Sequence, residues 1–121
     1  ALPFGIYAGN QPVGFVMFGY GAIPDDEDEP PVADGNYCLW RLMIDRRFQG
    51  RGYGKAALEA ALRYLAGFPC GPAEYIWLSY EPANQQARAL YRSMGFTENG
   101  QMCGDEIVAV LPVAEARRRA E

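Results

Sequence analysis

Gly50, Gly52 and Gly54 alternate within Gln49-Gly50-Arg51-Gly52-Tyr53-Gly54-Lys55, between a run that reads as a strand and one that reads as a helix. Glycine lets backbone approach a ligand without interference from Cβ atoms. The N–H groups of the first helical turn point outward together there, and with the positive end of the helix dipole they hold phosphate or pyrophosphate oxygens without a metal. Arg46, Arg47, Arg51 and Lys55 bring four cations to the same stretch. The alternative is a tight strand-to-helix turn with a solvated basic rim. A Walker A loop is excluded, because Gln49 stands where its first glycine belongs and Ala56 follows Lys55. A dinucleotide fingerprint can be laid on Gly52, Gly54 and Ala57 with Glu74 as the distant acid, but the repeated parallel strand-helix-strand units of that fold are missing.

Other reactive groups are few. The chain has no histidine, which removes Ser-His and Cys-His nucleophile pairs and histidine-based metal sites together. Proton transfer is left to carboxylates, tyrosine, thiol, lysine or water. Cys38, Cys70 and Cys103 are widely spaced, form no Cys-x-x-Cys pair, and read as free thiols of a reducing cytosol. Neither a metal nor a catalytic cysteine is expected, and Cys103 reads as structural.

The elements that position the glycine loop follow from periodicity. Phe4 to Ala8 and Val13 to Tyr20 read as two antiparallel strands around a Gly9-Asn10 turn. A long loop runs from Gly21 to Asn36, with the acidic stretch Asp25 to Glu29 set among prolines. Tyr37 to Ile44 reads as a third strand. Leu58, Ala61, Leu62 and Leu65 recur at helical spacing in Tyr53 to Ala66, and Gly67 and Pro69 end that helix. Glu74 to Tyr80 reads as a fourth strand, Ala83 to Met94 as a second helix, and Phe96 to Cys103 with Ile107 to Leu111 as a closing hairpin. The tail from Ala114 to Glu121 reads as a short exposed helix or as a segment without order.

The 121 residues, half of them apolar, suit one domain over 1–112 with a charged tail over 113–121. The layout is α+β, a mixed α/β arrangement around one sheet. No run reaches the ~20 apolar residues of a membrane span. The net charge of −4 argues against nucleic acid as a partner and suits a cationic small molecule.

Gln49, Gly52 and Gly54 match the pattern Gln/Arg-x-x-Gly-x-Gly/Ala. Asn84-Gln85-Gln86-Ala87-Arg88-Ala89-Leu90-Tyr91 followed by Gly95-Phe96 matches Asn-x-x-Ala-x-x-Leu-Tyr and Gly-Phe. With these two signatures the chain resembles the GNAT superfamily of acetyl-CoA-dependent N-acetyltransferases from Phe4 to Pro112. The resemblance implies a central, twisted, mostly antiparallel sheet with flanking helices. It implies a pantetheine arm paired with backbone at Leu42, Met43 and Ile44, and a pyrophosphate on the amides of Gln49, Gly50, Arg51, Gly52, Tyr53, Gly54 and Lys55. It further implies a cofactor contact at Asn84, Tyr91 as the acid that protonates the departing thiolate, and dimers as a common assembly. The family usually places a strand and two helices before the first hairpin; here they are expected to be missing, through truncation or loss.

Acetyl transfer to an amine needs a neutral amine, a stabilised oxyanion and a proton for the leaving sulfur. Glu81, just after the fourth strand, is the leading base, with Glu106 and Glu74 behind it; the ordinary role of each is a solvated carboxylate. Tyr91 has the competing role of a core aromatic, and Arg41 that of an ion-pair partner within the sheet. Trp40 to Asp45 and Arg47 to Ala56 resemble the bacterial diamine or spermine/spermidine acetyltransferase branch, which implies a polyamine acceptor that the acidic loop would attract. Aminoglycosides, amino acids and protein N-termini stay open as acceptors, as does a non-catalytic acyl-CoA-binding module.

Overall fold

The structure, a computed structural model, describes residues 2–22 and 27–120. Asp25 and Asp26 of the acidic stretch lie outside the described residues. A single six-stranded sheet is built from β1 (Leu2–Ala8), β2 (Gln11–Tyr20), β3 (Tyr37–Ile44), β4 (Tyr75–Tyr80), β5 (Thr97–Cys103) and β6 (Glu106–Pro112) in the order β1-β2-β3-β4-β6-β5. Every neighbouring pair is antiparallel except β3 and β4. The fold is the mixed α/β arrangement expected from the sequence. Three helices, α1 (Tyr53–Ala66), α2 (Gln85–Ser93) and α3 (Val113–Ala120), complete it.

The parallel pair is short. Among the described residues, β3 and β4 are matched at Tyr37↔Ile76 and Cys38↔Trp77 alone, and beyond these positions the strands separate. Two neighbouring side chains fasten the closed end. The Asn36 Oδ1 accepts from the amides of Glu74 and Tyr75 at 3.0 and 2.9 Å. The buried Tyr37 hydroxyl donates to the Gly71 carbonyl at 2.6 Å and accepts from the amides of Cys70 and Gly71 at 2.8 and 3.0 Å. These bonds satisfy backbone groups of the α1–β4 connection that would otherwise be costly to bury.

The main core lies on the helix-bearing face of the sheet, where Leu58, Leu62 and Leu65 of α1 meet Leu39, Ile76, Leu78, Ala109 and Leu111. Strand alternation sends Trp77 and Val108 to the other face, where they pack with Ala33 of the 3-10 turn Pro31–Ala33. Cys38 and Cys103 border this second cluster, a packing environment. The tail is a helix docked by its apolar side: Val113 and Ala116 are buried, the Arg117 Nε donates to the Ala66 carbonyl at 2.8 Å, and its guanidinium lies 4.2 Å from the Phe68 ring centroid. Of the two forms expected for this tail, helix is the one adopted, and it is less exposed than its run of arginines suggested.

On the other side of β3, β2 approaches closely. A Cβ on Gly14 would sit 2.1 Å from the Met43 carbonyl oxygen, so any side chain there forces the two backbones apart. Gly14→Ala is expected to lower the stability measured in urea unfolding by about 1–3 kcal/mol, the usual cost of overpacking. An unchanged unfolding midpoint would show that the two strands can separate freely at this point.

Candidate active site

Where β3 and β4 part, a groove of about 530 Å³ opens, walled by Leu42 and Ile44 of β3, the loop from Phe48 to Lys55, and Asn84, Ala87, Leu90 and Tyr91. The glycine loop forms its floor. Gly50 and Gly52 both have φ of 79°, and a Cβ on either would meet nothing within 4 Å. The positive φ angles demand glycine, and the space above the loop is open for a ligand. Gly52 is the N-cap of α1 and brings no side-chain cap. The first α1 amide bonded to the loop is Ala56, whose N–H donates to the Gly52 carbonyl at 3.1 Å. The preceding amides of Tyr53, Gly54 and Lys55 belong to the turn whose donors have no helical acceptor, an anion-binding array.

The predicted site residues divide into groups. Leu42, Ile44, Gln49, Gly50, Gly52, Tyr53, Gly54, Lys55, Asn84 and Tyr91 share the groove. The Gln49 side chain is a fastener, with its Nε2 donating to the Ile44 carbonyl at 3.0 Å and tying the loop to the end of β3. The Asn84 Oδ1 caps α2 by accepting from the Ala87 amide at 3.1 Å. Met43 and Arg51 are not among the residues that line the groove: the Met43 side chain is exposed, and the Arg51 guanidinium lies over Phe48 at 5.7 Å. Of the four nearby cations, Lys55 lines the groove, while Arg47 is paired with Asp45 at 3.1 Å.

Tyr91 is half-buried against the groove wall. Its ring stacks on Tyr80 with centroids 5.9 Å apart and planes at 17°, and meets Phe96 edge-on at 6.0 Å. Burial raises the pKa of its hydroxyl, so the proton is retained at neutral pH and the group is suited to be a donor.

Tyr80 is itself held by a network that sequence reasoning missed. Its hydroxyl donates to the Glu98 Oε2 at 2.6 Å, and Arg88 of α2 meets the same carboxylate through Nε at 2.7 Å and Nη2 at 2.9 Å. The Arg88 and Tyr80 hydrogen bonds lower the Glu98 pKa to about 2, and burial raises that of Tyr80 to about 12. No local spacing marks this triad, because its members come from β4, α2 and β5.

Glu81 does not reach the groove of Tyr91. It is exposed on a separate rim with Asp28, Asp105 and Glu106. Glu106 also borders a cavity on the opposite sheet face, where its Oε1 accepts from the Ser79 hydroxyl at 2.6 Å beside Trp77, Trp40 and Arg41. The Trp77 Nε1 is buried there without a hydrogen-bond partner among the described residues. Glu74 sits just before β4, its amide donating to the Asn36 Oδ1, at the fastened end of the strand pair.

The model of the Acetyltransferase (GNAT) family matches residues 1–96. This chain belongs to the GNAT family. The domain is 39% identical over 102 residues to the spermine/spermidine N(1)-acetyltransferase of Bacillus subtilis (strain 168), covering 83% of this chain and 62% of that one. It is 31% identical over 100 residues to the N-alpha-acetyltransferase RimI of Mycobacterium tuberculosis (strain ATCC 25618 / H37Rv), covering 83% and 57%. The GNAT domain thus spans about three-fifths of the length of these curated relatives. Its fold is similar to that of the PaiA N-acetyltransferase from Thermoplasma acidophilum in complex with coenzyme A, with a TM-score of 0.69, 17% identity, and 92% and 60% coverage. No helix of the described residues is long and apolar enough to cross a membrane.

The Glu98 carboxylate has a consequence for acid stability. A folded-state pKa held down to about 2, below the ordinary glutamate range, means that Glu98 contributes stability above that range, and that the contribution is lost as pH falls toward 2. Urea unfolding of wild type and Glu98→Gln should show a gap in midpoint at pH 7 that closes between about pH 4.5 and pH 2. A gap of the same size at both extremes would assign the effect to packing instead.

Proposed function

We propose that this GNAT domain transfers an acetyl group from acetyl-CoA to a primary amine of a small polycation of the spermidine or spermine type. The observation that carries this reading is that Tyr91 and the glycine loop line one groove. The loop amides suit a diphosphate, and Tyr91 supplies a protonated donor to the same groove. With the diphosphate on Gly50 to Lys55, the pantetheine arm runs between β3 and β4, where backbone groups from Leu42 to Ile44 lack a strand partner on the β4 side. The thioester then lies near Tyr91.

The amine attacks the thioester carbonyl, strand-end amides stabilise the oxyanion, and the C–S bond breaks with the proton of Tyr91 passing to the sulfur, while the proton shed by the newly acylated nitrogen returns through water to the Tyr91 oxygen. No covalent enzyme intermediate forms. The ammonium must first lose a proton, which we assign to Glu81 acting through water. The carboxylates of Asp28, Glu81, Asp105 and Glu106 on one rim give the acceptor side a negative field suited to a polycation. The 39% identity to a spermine/spermidine acetyltransferase supports the same acceptor class. We assign the domain to the cytoplasm, where both substrates would meet it.

Thiol release from acetyl-CoA tests this directly. With spermidine and spermine as acceptors, Tyr91→Phe is expected to lower kcat by about 10²–10⁴-fold, the usual contribution of a general acid, with KM for acetyl-CoA little changed. Turnover confined to peptide α-amines would overturn the polyamine assignment. Acetyl-CoA binding without turnover on any amine would overturn catalysis.

A further inference from the structure

Tyr91 is held through its ring. Among the described residues its hydroxyl has no hydrogen-bond partner, and burial is the one influence on its acidity. What orients the side chain is the stack on Tyr80, at 5.9 Å and 17°, and the edge-on contact with Phe96 at 6.0 Å. The helix beneath it is lightly anchored. α2 has nine residues, none of them fully buried, and Ala87, Leu90 and Tyr91 only border the main core.

Among the described residues, the side-chain hydrogen bonds from α2 to the sheet are those of Arg88, whose Nε and Nη2 meet the two oxygens of Glu98 on β5 at 2.7 and 2.9 Å. Arg88 stands three residues before Tyr91, on the same face of the helix one turn away. The oxygen that receives the Arg88 Nε also accepts the Tyr80 hydroxyl at 2.6 Å, and Tyr80 is the ring on which Tyr91 stacks. The contacts therefore form a closed circuit. They leave α2 at Arg88, cross β5 at Glu98 and β4 at Tyr80, and return to α2 at Tyr91.

We propose that Arg88, Glu98 and Tyr80 are positioning residues for acetyl transfer, setting the plane of the Tyr91 ring and so aiming its hydroxyl; this rests on the reading of Tyr91 as the acid. A two-point guanidinium–carboxylate contact is charge-assisted and directional. It fixes the Glu98 oxygens, the Tyr80 hydroxyl bond then fixes one end of that ring, and the stack passes the orientation to Tyr91. The phenol oxygen is the side-chain atom farthest from the backbone, so a tilt of the ring displaces it most. Proton donation to sulfur needs hydrogen-bond reach, and a misplacement of about 1 Å can cost about 10²-fold in rate.

A double-mutant cycle separates positioning from support of the fold. Thiol release from acetyl-CoA with spermidine is measured for wild type, Tyr80→Phe, Tyr91→Phe and the double variant. Tyr80→Phe keeps the ring that stacks on Tyr91 and removes the hydroxyl that Glu98 holds. It is expected to lower kcat about tenfold, part of the cost of a full misplacement, with KM for acetyl-CoA little changed. Added to Tyr91→Phe, it is expected to leave kcat where Tyr91→Phe alone puts it, because the circuit acts through that tyrosine. Arg88→Lys, which keeps the charge and loses the paired donors, is expected to follow the same rule. Wild-type kcat in Tyr80→Phe, or an equal fold loss in both backgrounds, would overturn the positioning role and leave Tyr91 as the acid. Unchanged kcat in Tyr91→Phe, or no thiol release by wild type, would overturn the acid reading, and this inference with it.

Discussion

Two parallel strands that pair for two residues and then separate leave backbone donors and acceptors facing each other across a gap, and the rest of this molecule is arranged around that gap. Asn36 and Tyr37 hold the strands together at one end through bonds to Gly71, Glu74 and Tyr75. Antiparallel partners hold the outer sides, β2 against β3 and β6 against β4. Neither strand can shift to close the opening without breaking an outer ladder. The gap therefore persists as a slot along which, among the described residues, β3 and β4 do not pair.

The helices take their places from the same opening. α1 begins where β3 leaves the sheet, so its N-terminal amides and the two left-handed glycines face the slot, and the Gln49 side chain locks that loop to the last carbonyl of β3. α2 follows β4 and brings Tyr91 to the opposite wall. The tyrosine is positioned by stacking on Tyr80, whose hydroxyl is anchored by Glu98, and Glu98 is anchored in turn by Arg88 of the same helix. A part-buried ion pair of this kind is weak evidence for stability on its own. Its geometric effect is to fix the end of β4, α2 and β5 relative to one another.

Charge is distributed unevenly over this frame. Cations gather beside the glycine loop and between α1 and α3, while carboxylates gather at the rim beyond β4 that includes Glu81 and Glu106. A net charge of −4 conceals this separation, which gives the two regions fields of opposite sign.

What the sequence by itself determined is the set of local elements and the glycine loop. The extents of β3 and α1 follow from their own side-chain periodicity, and Gly50 and Gly52 are needed for a backbone shape that few other residues adopt. The two short signatures on the loop and on α2 were enough to indicate the family. Tertiary structure alone decided how distant segments meet. The Tyr80–Glu98–Arg88 triad, the docking of α3 through Val113 and Ala116, and the separation of Glu81 from the groove of Tyr91 all depend on contacts between elements remote in the chain. Such contacts leave no spacing in the sequence, because their geometry is set by the packing of the sheet and helices and not by the period of any one of them.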